Sequence, residues 1–257
     1  MGQRNDRANN FLSVHLMQEK IIRFSDVHTC IEEAADFICN KASQCVKENG
    51  LFTMALAGGA TPKALYETLA REPYSHRMPW DVTHLFWSDE RLVPHDHPDS
   101  NYALAYRTMI SRVPIPATNV HPAPVESGSA VDAAFRYETL LREFFSDKHH
   151  RQYLDLVLLG LGNDGHTASL FSGSPVLHEK DKWINFVLKP DIAPFHPRIT
   201  FTLPLINNSD SVLFLITGSR KRDIVERIVG RFSGDDKIYP VSMIKPSGTL
   251  VWFIATS

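Results

Sequence analysis

Leu156-Val157-Leu158-Leu159-Gly160-Leu161-Gly162-Asn163-Asp164-Gly165-His166-Thr167-Ala168-Ser169-Leu170-Phe171 is the segment that decides how this 257-residue chain folds. Four successive branched apolar residues, with no polar alternation, suit a strand buried on both faces, and such strands belong to parallel sheets. The run stops at glycines, which permit a sharp turn at the carboxyl end of the strand. In open α/β sheets that end is where ligands bind. Asp164 and His166 follow two residues apart, a titratable pair on a turn placed for chemistry.

Working outward, strand-like and helix-like segments alternate. An edge strand is expected over Phe11–Met17. Asp26 is a candidate N-cap for a helix to about Glu48, with Ile31, Ala35, Ile38 and Ala42 on one face and Gly50 closing it. A strand over Phe52–Ala57 ends in Gly58-Gly59, and Pro62 suits the first turn of a helix to about Arg71. Val82–Ser88 reads as a strand, Asp89–Asn101 as a polar segment, Tyr102–Ile110 as a helix and Val113–Pro124 as extended. Ala130–Phe145 is amphipathic, with Ala134, Tyr137, Leu141 and Phe144 on the apolar side. After Leu154–Leu161 a helix is expected beyond the glycine turn. Arg198–Thr202, Val212–Thr217 and Thr249–Ala255 complete the strands, and a helix is expected over Ser219–Arg231. The pattern predicts an α/β fold: a Rossmann-like, mostly parallel sheet with helices on both faces. No linker forces a boundary, so residues 11–257 are expected to form one domain and residues 1–10 a flexible extension.

Composition narrows the function classes. Hydrophobic residues make up 43% of the chain, enough for a sizeable core. Lys+Arg 27 against Asp+Glu 29 leave a net charge of -2 without a basic block, which argues against nucleic acid or a membrane surface as partner. No apolar run approaches the roughly 18–20 residues of a membrane span, and no signal-type apolar core follows the polar first ten residues. A cytoplasmic protein is expected. Cys30, Cys39 and Cys45 share one predicted helix and read as buried thiols, with no disulfide framework. His95, His97, His121, His149, His150, His178 and His196 show no metal-ligand spacing; neither a metal nor a cofactor is expected, and His196, before Pro197 and near Arg198, could touch the site but reads first as having no role in it.

Three strand ends carry the candidate chemistry. At Gly58-Gly59-Ala60-Thr61-Pro62, small residues let backbone N–H groups and a helix N-terminus meet a phosphate, and Thr61 adds a hydroxyl. A lone Gly-Gly is equally consistent with a plain turn, and neither a Walker loop nor a dinucleotide fingerprint is present. At Asp89-Glu90-Arg91, acidic groups could hold sugar hydroxyls and Arg91 a carboxylate or phosphate; Asp-Glu-Arg is also a common solvated turn. Ser100-Asn101 reads as a helix cap. At Asp164-Gly165-His166, an imidazole with an unperturbed pKa of ~6.5 can accept a proton near neutral pH, and Asp164 could orient it or meet a substrate hydroxyl. Arg198 and Lys221 lie beside other strand ends and could add positive charge.

Together these blocks resemble the glucosamine-6-phosphate isomerase/6-phosphogluconolactonase superfamily, on its lactonase side. The resemblance covers roughly residues 20–255, through the glycine loop at Gly58–Pro62, Asp89–Pro94 with Ser100-Asn101, Gly160–Phe171, Arg198-Ile199-Thr200 and Gly218-Ser219-Arg220-Lys221. Two departures are visible: Ser172 stands where the family usually has Pro, and Ala255 where it commonly has Asp. The resemblance implies hydrolysis of 6-phospho-D-glucono-1,5-lactone in the pentose phosphate pathway, with a small sugar-phosphate lactone as the partner. The expected division of labour places His166, Asp164 and Arg91 at the reaction. Gly58, Gly59, Ala60, Thr61, Asp89, Arg198 and Lys221 are expected to bind the substrate and its phosphate. The related deaminases carry a catalytic Glu where this chain has Phe171, which disfavours deamination or isomerisation. A non-catalytic sugar-phosphate sensor is the other alternative.

Overall fold

A computed structural model describes residues 17–148, 153–190, 192–230 and 239–256. In chain order it contains β1 (Gln18–Arg23), α1 (Val27–Asn49), β2 (Phe52–Leu56), α2 (Ala60–Leu69), α3 (Tyr74–Arg77), β3 (Thr83–Trp87), β4 (Asp89–Arg91), α4 (Asn101–Thr108) and α5 (Ala130–Lys148). These are followed by β5 (Leu156–Leu159), β6 (Ile184–Val187), β7 (Arg198–Phe201), α6 (Leu203–Asn207), β8 (Ser211–Thr217), α7 (Arg222–Val229) and β9 (Thr249–Ala255).

Six strands form a parallel sheet in the order β1-β9-β8-β5-β2-β3. Period-two alternation along them divides the core. Leu156, Leu158, Met54, Leu56, Leu213 and Leu215 pack with α1 and α2 on one face. Val157, Leu159, Ala55, Phe86, Val212 and Phe214 pack with α5 on the other. Strand β5 is therefore apolar and buried on both faces, as the opening run predicted, and β2, β3, β8 and β9 are buried along all or nearly all of their length. The helices are fixed by caps and stripes. The Asp26 carboxylate accepts from Thr29 N–H at 2.8 Å, and α1 ends at Gly50, φ 80°, whose N–H donates to Val46 O at 2.8 Å. Cys30, Cys39 and Cys45 are buried, unpaired thiols on the apolar face of α1. Along α5 the buried stripe includes Ala134, Tyr137 and Leu141, but ends on Phe145 rather than Phe144.

A second, antiparallel sheet, β4-β7-β6, extends from the carboxyl edge of the first. Asp89–Arg91, expected as a polar segment, is one of its strands, and Arg198–Phe201 belongs here instead of in the parallel sheet. Ile184–Val187, with no strand expected, supplies the third. The helix expected after the glycine turn is absent: residues 161–174 run as turns and isolated bridges. Gly165 (φ 85°), Ala168 (φ 47°) and Gly173 (φ 76°) all sit at positive φ, which no right-handed helix accommodates. The helix expected over Ser219–Arg231 divides into a 3₁₀ turn at Ser219–Lys221 and α7. β1 forms an edge of the parallel sheet. Of the strand expected over Phe11–Met17, only Met17 is among the described residues, and residues 1–10, His149, His150 and Ile238 lie outside them. Among the described residues, no helix is long and apolar enough to cross a membrane.

Candidate active site

The chain leaves β2 for β3 on one side and β5 for β8 on the other, so the direction of strand order reverses between β2 and β5. The carboxyl ends of these two strands flank a cleft, the position at which open α/β sheets bind ligands. A cavity of about 140 Å³ opens there, lined by Gly58, Gly59, Ala60 and Thr61 after β2, and by Gly160, Gly162 and His166 after β5. Asp89, Arg91 and Arg198 reach it from the antiparallel sheet, and Lys221 from the turn after β8. Nine of the ten residues expected in the site thus line one cavity; the tenth, Asp164, touches it through His166.

The turn after β5 is built to hold an imidazole. Gly162 N–H donates to His166 O at 2.8 Å and Gly165 N–H to Gly162 O at 3.1 Å, closing a tight loop. A methyl group at Gly162 would overlap both the His166 ring and the Asp164 carboxylate, so only glycine permits the ring to lie there. Gly165 packs in the same way beneath Tyr239. The Asp164 carboxylate accepts from His166 Nδ1 at 2.5 Å and from His166 N–H at 3.2 Å. With Nδ1–H committed to Asp164, Nε2 carries the lone pair, the state a general base requires. Burial raises the Asp164 pKa, but the hydrogen bonds and charge of His166 outweigh it and hold the carboxyl below its ordinary value. The Phe171 ring lies 4.9 Å from the imidazole, and the Arg198 guanidinium sits over the same ring at 5.6 Å. No carboxylate occupies that position.

The opposite wall is cationic. Antiparallel pairing of β4 with β7 sets Arg91 directly across from Arg198, and Asp89 across from Thr200, on one face of the ladder. Like charges in such a pair repel. Arg91 Nη1 donates to Asp99 O at 2.5 Å and Arg198 Nη2 to Pro194 O at 2.9 Å, while the buried Nε atoms of both have no partner. Burial pushes the Arg198 pKa down, with Asp89 opposing and Arg91 adding to the shift. Burial likewise pulls the Lys221 ammonium below its usual value, and no hydrogen bond or ion pair engages it among the described residues. Two unsatisfied guanidinium donors and a desolvated ammonium facing one cleft call for an anion. The N-terminus of α2 faces the same space without a side-chain cap, after Gly59 at φ 109°.

Asp89 and Glu90, adjacent in sequence, do different work. Glu90 is 1% exposed and accepts from the N–H groups of Arg91, Asn101 and Tyr102 at 2.7–2.8 Å and from Ser100 Oγ at 3.1 Å. It ties β4 to the start of α4; burial raises its pKa although these donors oppose the shift. Asp89 accepts from Ser169 Oγ at 2.7 Å and from Asn101 Nδ2 at 3.1 Å, which leaves it aimed at the cavity.

Three contributors escaped the sequence reading. Ser100 is indeed the α4 cap, accepting from Ala103 N–H at 3.1 Å, but Asn101 lines the cavity and presses against Gly58 so closely that no Cβ fits there. Ser169, fully buried, steadies Asp89 across 80 residues of sequence. Thr217 shares a 2.6 Å hydroxyl contact with Thr61. The quoted Ser100-Asn101 pair was a usable signal; the two hydroxyls carried none. His196, for which contact with the site was the weaker expectation, does not line the cavity; it lies with His97 against Asp99, whose carbonyl accepts from Arg91.

The profile of the family described as glucosamine-6-phosphate isomerases/6-phosphogluconolactonase matches residues 25–252. The chain belongs to this family. Within it, the chain is 40% identical over 239 residues to a 6-phosphogluconolactonase of a Nostoc species, covering 93% of this chain and 96% of that one. It is 41% identical over 225 residues to a 6-phosphogluconolactonase of a Synechocystis species, covering 87% and 90%. The crystal structure of 6-phosphogluconolactonase from Thermotoga maritima superposes with a TM-score of 0.79 at 31% identity, over 93% of this chain and 100% of that one. A monomeric glucosamine-6-phosphate deaminase superposes at 0.72 with 19% identity, a likeness of fold alone. The family frame thus spans both chemistries, and the residues of the site must choose between them.

Proposed function

We propose that this protein hydrolyses 6-phospho-D-glucono-1,5-lactone to 6-phospho-D-gluconate in the oxidative pentose phosphate pathway, as the names of its 40%-identical relatives suggest. The observation that carries the reading is the Asp164–His166 pair facing two arginines whose Nε atoms are unpartnered. His166 Nε2 takes a proton from water, and the resulting oxygen nucleophile attacks the lactone carbonyl carbon. A carbon–oxygen bond forms as the carbonyl electrons move onto oxygen. Arg91 and nearby backbone N–H groups stabilise that oxyanion. On collapse the bond to the ring oxygen breaks, and His166 returns its proton to the leaving hydroxyl.

The phosphate sits among the Gly58–Thr61 amides, Arg198 and Lys221, which fixes the ring for attack. Asp89, held by Ser169 and Asn101, accepts from sugar hydroxyls. An ester is electrophilic enough that this route needs neither metal nor cofactor. We further take residues 11–257 as one domain working in the cytoplasm, where the three free thiols suit a reducing compartment.

Deamination or isomerisation is the second chemistry of this family. Phe171, in contact with both His166 and Arg198, offers no carboxylate to support it. The deciding experiment measures lactone hydrolysis by purified protein after subtraction of spontaneous opening, alongside ammonia release from glucosamine 6-phosphate. Lactonase turnover without ammonia is expected. Ammonia release, or sugar-phosphate binding with no turnover of either substrate, would overturn the proposal.

A further inference from the structure

Next to Arg91, whose Nη1 donates to the Asp99 carbonyl, His97, Asp99 and His196 bring one ligand atom each to within 4.8 Å of one another, the sole such His/Cys/Asp/Glu group among the described residues. We propose that these three residues form a site for a divalent cation of the zinc class, separate from the proposed lactone-hydrolysing residues. His97 and Asp99 come from the loop after β4, and His196 from the segment before β7. The β4–β7 ladder fixes these segments together: Arg91 pairs with Arg198, and Leu92 N–H extends the ladder by donating to Pro197 O at 2.8 Å. The arrangement is therefore set by sheet register and does not depend on two loose loops meeting.

His196 Nε2 lies 3.0 Å from Asp99 Oδ2. His97 Nδ1 accepts from Asp99 N–H at 3.1 Å and stands 3.9 Å from the same carboxylate oxygen. An ion at this point would take the His97 lone pair in place of the Asp99 N–H and the carboxylate in place of its contact with His196. Tetrahedral zinc with bonds of about 2.0–2.1 Å separates its ligand atoms by roughly 3.3 Å; the observed 3.0 and 3.9 Å bracket that value.

Two imidazoles and one carboxylate form a donor set suited to zinc, which leaves a fourth position for water. Side chains 35–41% exposed give an ion a path in. The site also reaches the cleft, because the Asp99 carbonyl that follows this carboxylate accepts from Arg91 Nη1. An ion drawing Asp99 toward both histidines fixes the loop that supports Arg91.

The test uses tag-free, full-length protein, stripped with chelator, desalted and titrated with Zn²⁺ by calorimetry, with Co²⁺ absorption reporting coordination. One equivalent should bind, with a d–d spectrum of four-coordinate cobalt and a Tm that rises with added zinc. The double substitution H97A/H196A should weaken binding by well over about tenfold, more than loss of an outer-shell partner does, and should abolish the Tm response. Should that variant misfold, Asp99→Asn keeps an amide oxygen beside His196 and removes the anionic ligand; it should weaken binding similarly. Failure to saturate at one equivalent per chain, or equal affinity in the altered proteins, would overturn the site.

Discussion

His166 owes its proposed role to three neighbours that each do something different. Asp164 fixes the tautomer, Gly162 leaves room for the ring, and Phe171 closes its flank. Replacing His166 with Ala in a folded protein should lower kcat by ~10²–10⁴, the usual weight of a general base; unchanged turnover after background subtraction would remove it from the mechanism. Gly162→Ala should be nearly as damaging while barely moving Tm, because its methyl displaces the imidazole rather than the core. The carboxyl of Asp164, held below its ordinary value, sets a sign for pH. Its contribution to stability is complete above the unfolded pKa of about 3.8 and fades as pH falls through the lower folded value. Asp164→Asn should lower kcat, because an amide in place of the carboxylate gives up the ionised acceptor that holds the His166 Nδ1–H; an unchanged kcat would remove that role. Asp164 and His166 were legible in the sequence because their contact is local, two residues apart on one turn. Ser169 was not: its partner Asp89 lies 80 residues away, and an isolated serine advertises nothing.

The elements show where local patterning stops being informative. Five of the six strands of the parallel sheet are buried along all or nearly all of their length; β1 is the exception, since Gln18–Arg23 is exposed throughout and carries no burial signal. The antiparallel sheet was missed because β4 reads Asp-Glu-Arg, a charged turn by composition. Its burial makes sense only when Glu90 is seen collecting four donors at the start of α4. Glu90→Gln turns one acceptor oxygen into a donor that meets N–H groups. It should cost on the order of 3 kcal/mol, visible in denaturant unfolding, with Asn101 and the site loosening alongside. A stability change within experimental error would refute the assigned role. Helix α1 makes a second prediction. Burial pushes the thiols of Cys30 and Cys45 up to about 12 and of Cys39 to about 11. Native protein at pH 8 should resist thiol reagents, and all three cysteines should label once it unfolds.

At the scale of the whole molecule, the site straddles two sheets that chemistry divides between them. The parallel sheet delivers the glycine loops and His166; the antiparallel sheet delivers Asp89, Arg91 and Arg198. The placement was legible as strand ends in α/β order, but the second sheet that supplies most of the charge was not. A substrate that spans both sheets should lose more than affinity when shortened. Gluconolactone without its phosphate is expected to fall in kcat/KM by at least roughly 10²-fold, because the binding interactions of the phosphate orient the ring. Equal efficiency on both lactones would place the phosphate elsewhere.

The pairing of Arg91 with Arg198 across neighbouring strands has one further consequence, for the life of the protein outside turnover. Two guanidiniums placed on facing rungs of a ladder store repulsion that a tetrahedral anion relieves. Inorganic phosphate should therefore behave as a conformational chaperone for the folded state, delaying thermal inactivation even as it competes with substrate.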